Sequence, residues 1–360
     1  MKSIFLKGLI VVTALAINCF GESAAVPAST ETPVAVVVAA PKKAEAVEAG
    51  FGKIKLNGLL QIWYYNDNMG APIDSFRLRR AEIKLSGEIN QDVNWAVMFD
   101  PAQVREDDTS ATVVPTSATV SVTNVGRKSV LQDFVISLKP AAFLTLDFGQ
   151  YKIPFGMEGL TSSAALDFVE RANLTAVLKW GDRRDVGVTA KFDFDIGGIK
   201  IKPAVGIYNG EGQNKLDVEG PVDLVGRLVI EPVKDIQIGL ARYEGKKGLS
   251  QADNFQSGIE LKMKLLNELS VYGEYAMGRD SAKDKTTYYA AAVYTLVENL
   301  QVAVRYDFYD PNINVAADDR TEVVGGLNYF IEKNKAKLQL NYVYRVNSAD
   351  AVRANVQISY

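Results

Sequence analysis

Histidine is absent from the 360 residues, and cysteine occurs once, at Cys19. These two absences remove whole classes of chemistry. There is no Ser-His or Asp-His pair for nucleophilic hydrolysis. Beyond Cys19 there is no thiol, no disulfide and no Cys or His ligand for a metal. Nothing in the sequence implies a cofactor, and carboxylate-only chemistry has no cleft-like motif to carry it. Long apolar runs are also missing: after the N-terminal segment no stretch of eighteen residues is greasy enough for a spanning helix. Neither sign of charge dominates, with 40 Lys and Arg against 43 Asp and Glu. A balance of this kind gives no electrostatic case for nucleic acid.

What is present is alternation. In residues 350–360, Val352, Ala354, Val356, Ile358 and Tyr360 fall on one face, and Arg353, Asn355, Gln357 and Ser359 on the other. This is a period-2 strand with one apolar and one polar face. The same pattern recurs back to about residue 51. Mean hydropathy is close to zero, as expected where lipid-facing and water-facing residues alternate and cancel. A last strand with a greasy face and an aromatic final residue suits a ring that must leave no unpaired edge in lipid.

Three regions follow. Residues 1–25 read as an export signal: Lys2 and Lys7, an apolar core from Leu9 to Phe20, then Ser23, Ala24 and Ala25 as small residues for cleavage. The rival, a lipoprotein anchored at Cys19, is disfavoured because Asn18 stands where a small residue is wanted. Cleavage would remove Lys2, Lys7 and Glu22 and leave a net charge of −4. Residues 26–50, rich in Ala, Val and Pro, read as a periplasmic linker, with a short helix over 42–49 as one option. Residues 51–360 form the barrel domain.

Sixteen amphipathic strands are expected, at 53–65, 76–89, 92–101, 129–139, 143–150, 185–194, 198–208, 221–231, 235–244, 254–265, 268–278, 286–297, 299–309, 320–332, 336–346 and 350–360. About 19 residues per strand and connection is what spanning strands of about ten residues require. Connections alternate. One set is short, such as Asn90-Gln91, Ile196-Gly197 and Glu298. The other is mostly longer: 66–75, 102–128, 151–184, 209–220, 245–253, 279–285, 310–319 and 347–349. Short periplasmic turns and long extracellular loops fit a transmembrane antiparallel β-barrel. A soluble all-β sandwich is the competing architecture, because alternation alone does not separate the two. Aromatics including Trp63, Tyr65, Tyr208, Tyr243, Tyr288, Phe308 and Tyr360 cluster towards strand ends, as interfacial girdles would.

Three segments are more specific than periodicity. They are FRLRRAEIKLSGEI at 76–89, GQYKIPFG at 149–156, and RDVG at 184–187 with GIYNG at 206–210. In order and content they resemble the phosphate-selective porin O and P family of Gram-negative outer membranes, over residues 51–360. The resemblance implies a sixteen-stranded barrel, usually a homotrimer, with a long third extracellular loop folded inward to narrow the pore.

Read from its residues, that loop is 151–184. It mixes apolar anchors (Leu166, Phe168, Val169, Leu174, Val177, Leu178 and Trp180) with charges. Loops of this length are ordered against something or functional. The candidate constriction and anion-binding residues are Arg171, Lys179, Arg183 and Arg184 on the loop, with Arg80 and Lys84 on the wall. Strand phase turns fifteen cations inward: Lys53, Lys55, Arg80, Lys84, Lys139, Lys191, Lys200, Lys202, Arg227, Lys262, Lys264, Arg305, Lys337, Arg345 and Arg353. It also turns in twelve anions: Glu82, Glu88, Asp100, Asp133, Asp147, Asp193, Asp223, Glu231, Glu260, Glu274, Asp307 and Glu322. A continuous basic track with few acids would bind phosphate by charge-assisted contacts, whereas here acids interleave. The expectation is therefore an outer-membrane porin giving passive diffusion of small hydrophilic solutes, anion-leaning, with membrane lipid, solutes and its own copies as partners. A cation- or neutral-solute porin is one alternative. A barrel adhesin using Ser/Thr/Val-rich loop 102–128 is another.

Overall fold

The computed structural model describes residues 47–48, 53–67, 73–104, 109–113, 120–124, 130–217, 220–248, 251–280 and 282–360. The expected export signal lies outside the described residues, as does most of the 26–50 linker. Where a helix over 42–49 was one option, Val47 and Glu48 instead pair antiparallel with Ile54 and Lys53. A separate hairpin, Thr109–Val113 with Val120–Asn124, lies in the second long loop.

Sixteen strands make the wall: β1 (Lys53–Asp67), β2 (Ile73–Asn90), β3 (Val93–Phe99), β4 (Leu131–Ala141), β5 (Leu144–Lys152), β6 (Arg184–Phe192, continued by Phe194–Ile196), β7 (Ile199–Tyr208), β8 (Asp223–Val233), β9 (Ile236–Lys247), β10 (Ala252–Lys264), β11 (Leu269–Asp280), β12 (Lys283–Val297), β13 (Leu300–Asp310), β14 (Arg320–Glu332), β15 (Ala336–Arg345) and β16 (Ala351–Ser359). Each bound lies within three residues of the sequence expectation. Every strand pairs antiparallel with its neighbour in the chain. The ring closes where β16 pairs with β1, from Leu59 opposite Ser359 to Asp67 opposite Ala351. Gly58 and Tyr360 extend the closure by exchanging backbone hydrogen bonds of 2.9 and 3.1 Å. The end of the Tyr360 ring lies where a Cβ on residue 58 would stand, so a larger residue there would displace that ring.

One closed sheet excludes the sandwich. Its apolar side chains are on the outside: Leu56, Leu60 and Ile62 on β1, Leu240 on β9, Val304 and Tyr306 on β13 are all exposed. A water-soluble surface does not carry an apolar band around its whole girth. A barrel in hydrocarbon requires one. Among the described residues no helix is long and apolar enough to cross a membrane.

Two expectations need correction. The connections placed at 245–253 and 279–285 are short, because the strands run on to Lys247, Ala252, Asp280 and Lys283. The length asymmetry rests on the other loops. The aromatics also divide. Tyr275, Tyr288, Tyr306 and Phe308 stack on the outer face with centroids 4.9 to 6.4 Å apart, as a girdle would. Trp63, Tyr208 and Tyr243 face inward and are fully buried. Strand ends attract aromatics for either purpose, so position along a strand does not reveal the face.

Val304 is mid-strand and outward. Val304→Arg should lower the unfolding free energy in lipid vesicles by about 2–4 kcal/mol, measured by urea titration. Lys262→Ala on the water-filled side should change it by less than about 0.5 kcal/mol.

Candidate functional site: a loop pinned across the barrel wall

Segment 153–183, between β5 and β6, packs against polar side chains of the wall. It contains two single-turn helices, α1 (Met157–Leu160) and α2 (Asn173–Ala176). Neither has a capping side chain of its own, since Gly156 and Ala172 occupy the cap positions. Helix N–H groups left buried without partners would be costly. The wall supplies the caps. Glu274 on β11 accepts from the N–H groups of Met157 and Glu158, both at 2.8 Å, and Asp307 on β13 accepts from Asn173 N–H at 3.0 Å.

Other wall side chains take the loop's remaining backbone groups. Gln357 donates to Ala164 O, Lys337 and Gln339 to Leu166 O, and Asn328 to Asp167 O, at 2.7 to 3.0 Å. Asn341 Oδ1 accepts from Val169 N–H at 2.7 Å. Apolar anchors reinforce this. Phe168 packs with Ala291, Val293, Ala303, Val324 and Val343. Leu174, Trp180, Ile153 and Phe155 pack with Tyr208, Val225, Tyr243 and Ala276. Each such side chain contributes about 1.5–3 kcal/mol of burial. Leu166 and Val169 are buried as expected, while Val177 is 44% exposed and anchors nothing.

Arg305 on β13 sits at the centre of the attachment. It is 1% exposed and donates to the carbonyls of Glu170 at 3.0 Å and Arg171 at 3.4 Å. It also lies 3.5 Å from both Glu158 and Asp307, with its guanidinium over the Phe168 ring. Burial pushes the Glu158 carboxyl up, against the pull of Arg305 and Arg171. A second hub is Asp182, with Lys152 at 2.6 Å, Arg171 at 3.3 Å and Arg184 at 3.8 Å. Burial alone would raise its carboxyl, but these cations outweigh that and hold it well below the usual range. Close approach of Gly159 to the backbone of Gly181 and Asp182 leaves no room for a Cβ, which ties the loop's start to its end.

The six sequence-selected cations are therefore spread over different tasks. Arg171 is 3% exposed and donates to the loop carbonyls Glu158 O and Thr161 O. Arg183 donates to Gly210 O at 2.9 Å and to the Tyr243 hydroxyl at 2.5 Å. Arg184 pairs with Asp133 at 2.7 Å. Lys179 is exposed, with a left-handed φ of 60°. Arg80 donates to Gln61 Oε1 at 2.7 Å. Lys84 is half-buried and shares a cavity of about 390 Å³ with Lys152, Arg184, Glu82 and Asp133. A neighbouring cavity of about 770 Å³ is lined by Lys139, Lys152, Lys191, Lys202, Arg227 and Lys262 against Asp147, Asp193 and Glu231.

Sequence reasoning missed two inward cations, Arg77 and Arg79. Period-2 phasing from Arg80, Glu82 and Lys84 would place both in lipid. A β-bulge changes the phase: Gln61 opposes Arg80, Ile62 opposes Leu78, and Arg79 is the extra residue. Arg77 then faces Trp63 across the pair, and the guanidiniums of Arg77 and Arg79 lie over the Trp63 ring at 4.9 and 5.0 Å. The signal was available, since two arginines in hydrocarbon would cost several kcal/mol and bulges exist to re-aim side chains.

Arg305→Met would leave Glu158 and Asp307 buried beside an apolar chain. Faster hydrogen exchange in loop peptides 157–176 is the expected outcome, with the barrel still folded. Asp182 has a depressed pKa, so its ion pairs hold above the ordinary carboxylate range and fail only as pH falls through the depressed value. Protection factors around 181–184, which remove the intrinsic pH dependence of amide exchange, should thus be the same at about pH 5 as at pH 7, and Asp182→Asn should lower them at both.

Comparison with known proteins agrees with the barrel fold. Residues 55–219 match the family model of phosphate-selective porin O and P. No curated protein matches. Among solved structures, OmpF of Salmonella typhi in complex with daunomycin has a TM-score of 0.62 at 13% identity, covering 86% of this chain and 98% of its own. The outer-membrane channel DcaP of Acinetobacter baumannii has 0.61 at 10%, covering 88% and 100%. The anion-selective porin of Comamonas acidovorans has 0.58 at 12%, covering 86% and 100%. The barrel is of the bacterial outer-membrane porin type, and residues 55–219 carry the sequence pattern of the phosphate-selective porin O and P family.

Proposed function

We propose that this chain is a passive diffusion pore for small hydrophilic solutes that leans towards anions, with segment 153–183 narrowing the path. One observation carries the anion preference. Of the twelve inward acids, eleven are engaged by a cation, a hydroxyl or a backbone N–H; among the described residues only Asp193 has no side-chain partner. The inward cations are not used up in the same way. Lys53, Lys84, Lys139, Lys200, Lys262, Lys264, Arg79 and Arg353 form no ion pair or side-chain hydrogen bond among the described residues. A near-even count of charges therefore becomes a positive path once pairing is considered. Low-dielectric walls amplify such a path and select counter-charged solutes.

The Comamonas neighbour is described as anion-selective, which supports the same direction. OmpT of Vibrio cholerae, similar at TM-score 0.57 and 12% identity over 86% of this chain and all of its own, is described in a trimer form. A homotrimer is the assembly proposed here, and crosslinking in outer membranes should trap a three-copy band.

Purified protein in planar bilayers under a KCl gradient should give a reversal potential on the chloride side. Converting Lys84, Lys139 and Lys262 together to Gln should move it towards zero. A cation-selective wild type, or a triple variant that does not shift, would overturn the anion reading.

A further inference from the structure

Adjacent wall strands are joined by a connection everywhere except at β16 and β1, which meet only through nine cross-strand residue pairs, from Leu59 opposite Ser359 to Asp67 opposite Ala351. Bringing together residues so far apart in the chain is costly, and a one-residue slip would turn the polar face of β1 to lipid. Two buried side-chain links fix this seam at different heights.

Towards the Gly58 end, Gln61 of β1 lies opposite Gln357 of β16, and both are fully buried. Arg80 donates to Gln61 Oε1 at 2.7 Å. A guanidinium offers only donors, so this bond fixes which way the Gln61 amide points. Its Nε2 then donates to Gln357 Oε1 at 2.7 Å and to Ser163 O at 3.4 Å. Gln357 Nε2 is in turn left to donate to Ala164 O at 3.0 Å and Asn334 O at 2.7 Å. Neighbouring carbonyls of segment 153–183 are thus held one by each closing strand. The cavity of about 390 Å³ beside them has the same walls: Leu59 from β1, Ser359 from β16, and Ser162 and Ser163 from the loop. Towards Asp67 the link is of another kind. Arg345 of β15 reaches past β16 and donates to both Asp67 carboxylate oxygens, at 2.7 and 2.8 Å, and lies 2.9 Å from Glu322 on β14. Ala351, the β16 residue opposite Asp67, is buried and short, which leaves the bridge room to pass.

We infer that segment 153–183 is an internal staple of the barrel seam: by taking one donor from β1 and one from β16 it couples loop docking to ring closure in the Gly58 half, while the Arg345–Asp67 clasp holds the other half without the loop. Buried amides that lose their acceptors are not compensated by water. Undocking the loop therefore leaves Gln61 and Gln357 short of partners, and the seam loosens with it.

The test is hydrogen exchange by mass spectrometry on the full chain in lipid vesicles. Three variants are compared with wild type: residues 156–181 replaced by a short Gly/Ser connection, Gln357→Met with the loop intact, and Arg345→Met. Loop replacement should speed exchange at 59–62 and 356–359 by about tenfold and leave 65–67 and 351–353 near wild type. Gln357→Met should speed the same seam residues together with loop residues 162–166. Arg345→Met should speed 65–67 and 351–353 and spare the loop. Paired residues 93–97 and 135–138, which carry neither link, should hold their wild-type rates in every folded variant. Unchanged seam exchange after loop replacement would overturn the inference. If the shortened chain does not fold, Gln357→Met decides alone: a loosened seam with an unmoved loop, or no change in either, would overturn the coupling.

Discussion

A strand in hydrocarbon has no water to satisfy its backbone, and the rest of this structure depends on that constraint. Each of the sixteen strands must have a partner on both sides, so β16 must find β1. Closing the ring fixes which face of every strand meets lipid. The polar face is then forced inward, where its side chains need partners of their own. Segment 153–183 is one answer to that need. Its uncapped helix ends and spare carbonyls match wall residues that would otherwise be buried acids, amides and a buried arginine. Loop and wall each satisfy polar groups that the other leaves open.

This exchange bears on the charge count. From the sequence, fifteen inward cations and twelve inward anions look nearly neutral. Glu274 and Asp307, however, are used as helix caps, and Asp133, Asp147, Glu231 and Glu260 are used by single cations. On the proposed reading, what a passing solute meets is the remainder, and the remainder is positive.

The wall was legible because period 2 is a local property, and every outward position reports on the same solvent. Strand number, order and bounds followed from it. The bulge at Arg79 was not read, although arginines at 77 and 79 on a lipid face were a warning. The attachment of segment 153–183 was only partly legible. The apolar character of Phe168, Leu174 and Trp180 marked the loop as a packed element. Composition could not say that Arg171 and Arg183 would turn to carbonyls and a tyrosine, while Arg79 and Arg353 have no ion pair among the described residues. That depends on which residues face each other across the lumen, a relation between positions as distant as Val169 and Asn341.

The central claim is that the wall holds segment 153–183 in the water path. It is tested most directly by sizing the pore with neutral polymers of graded length, in wild type and in a chain where residues 156–181 are replaced by a short Gly/Ser connection. The account predicts that longer polymers enter the shortened variant and that its conductance rises. The same exclusion limit in both proteins would contradict it.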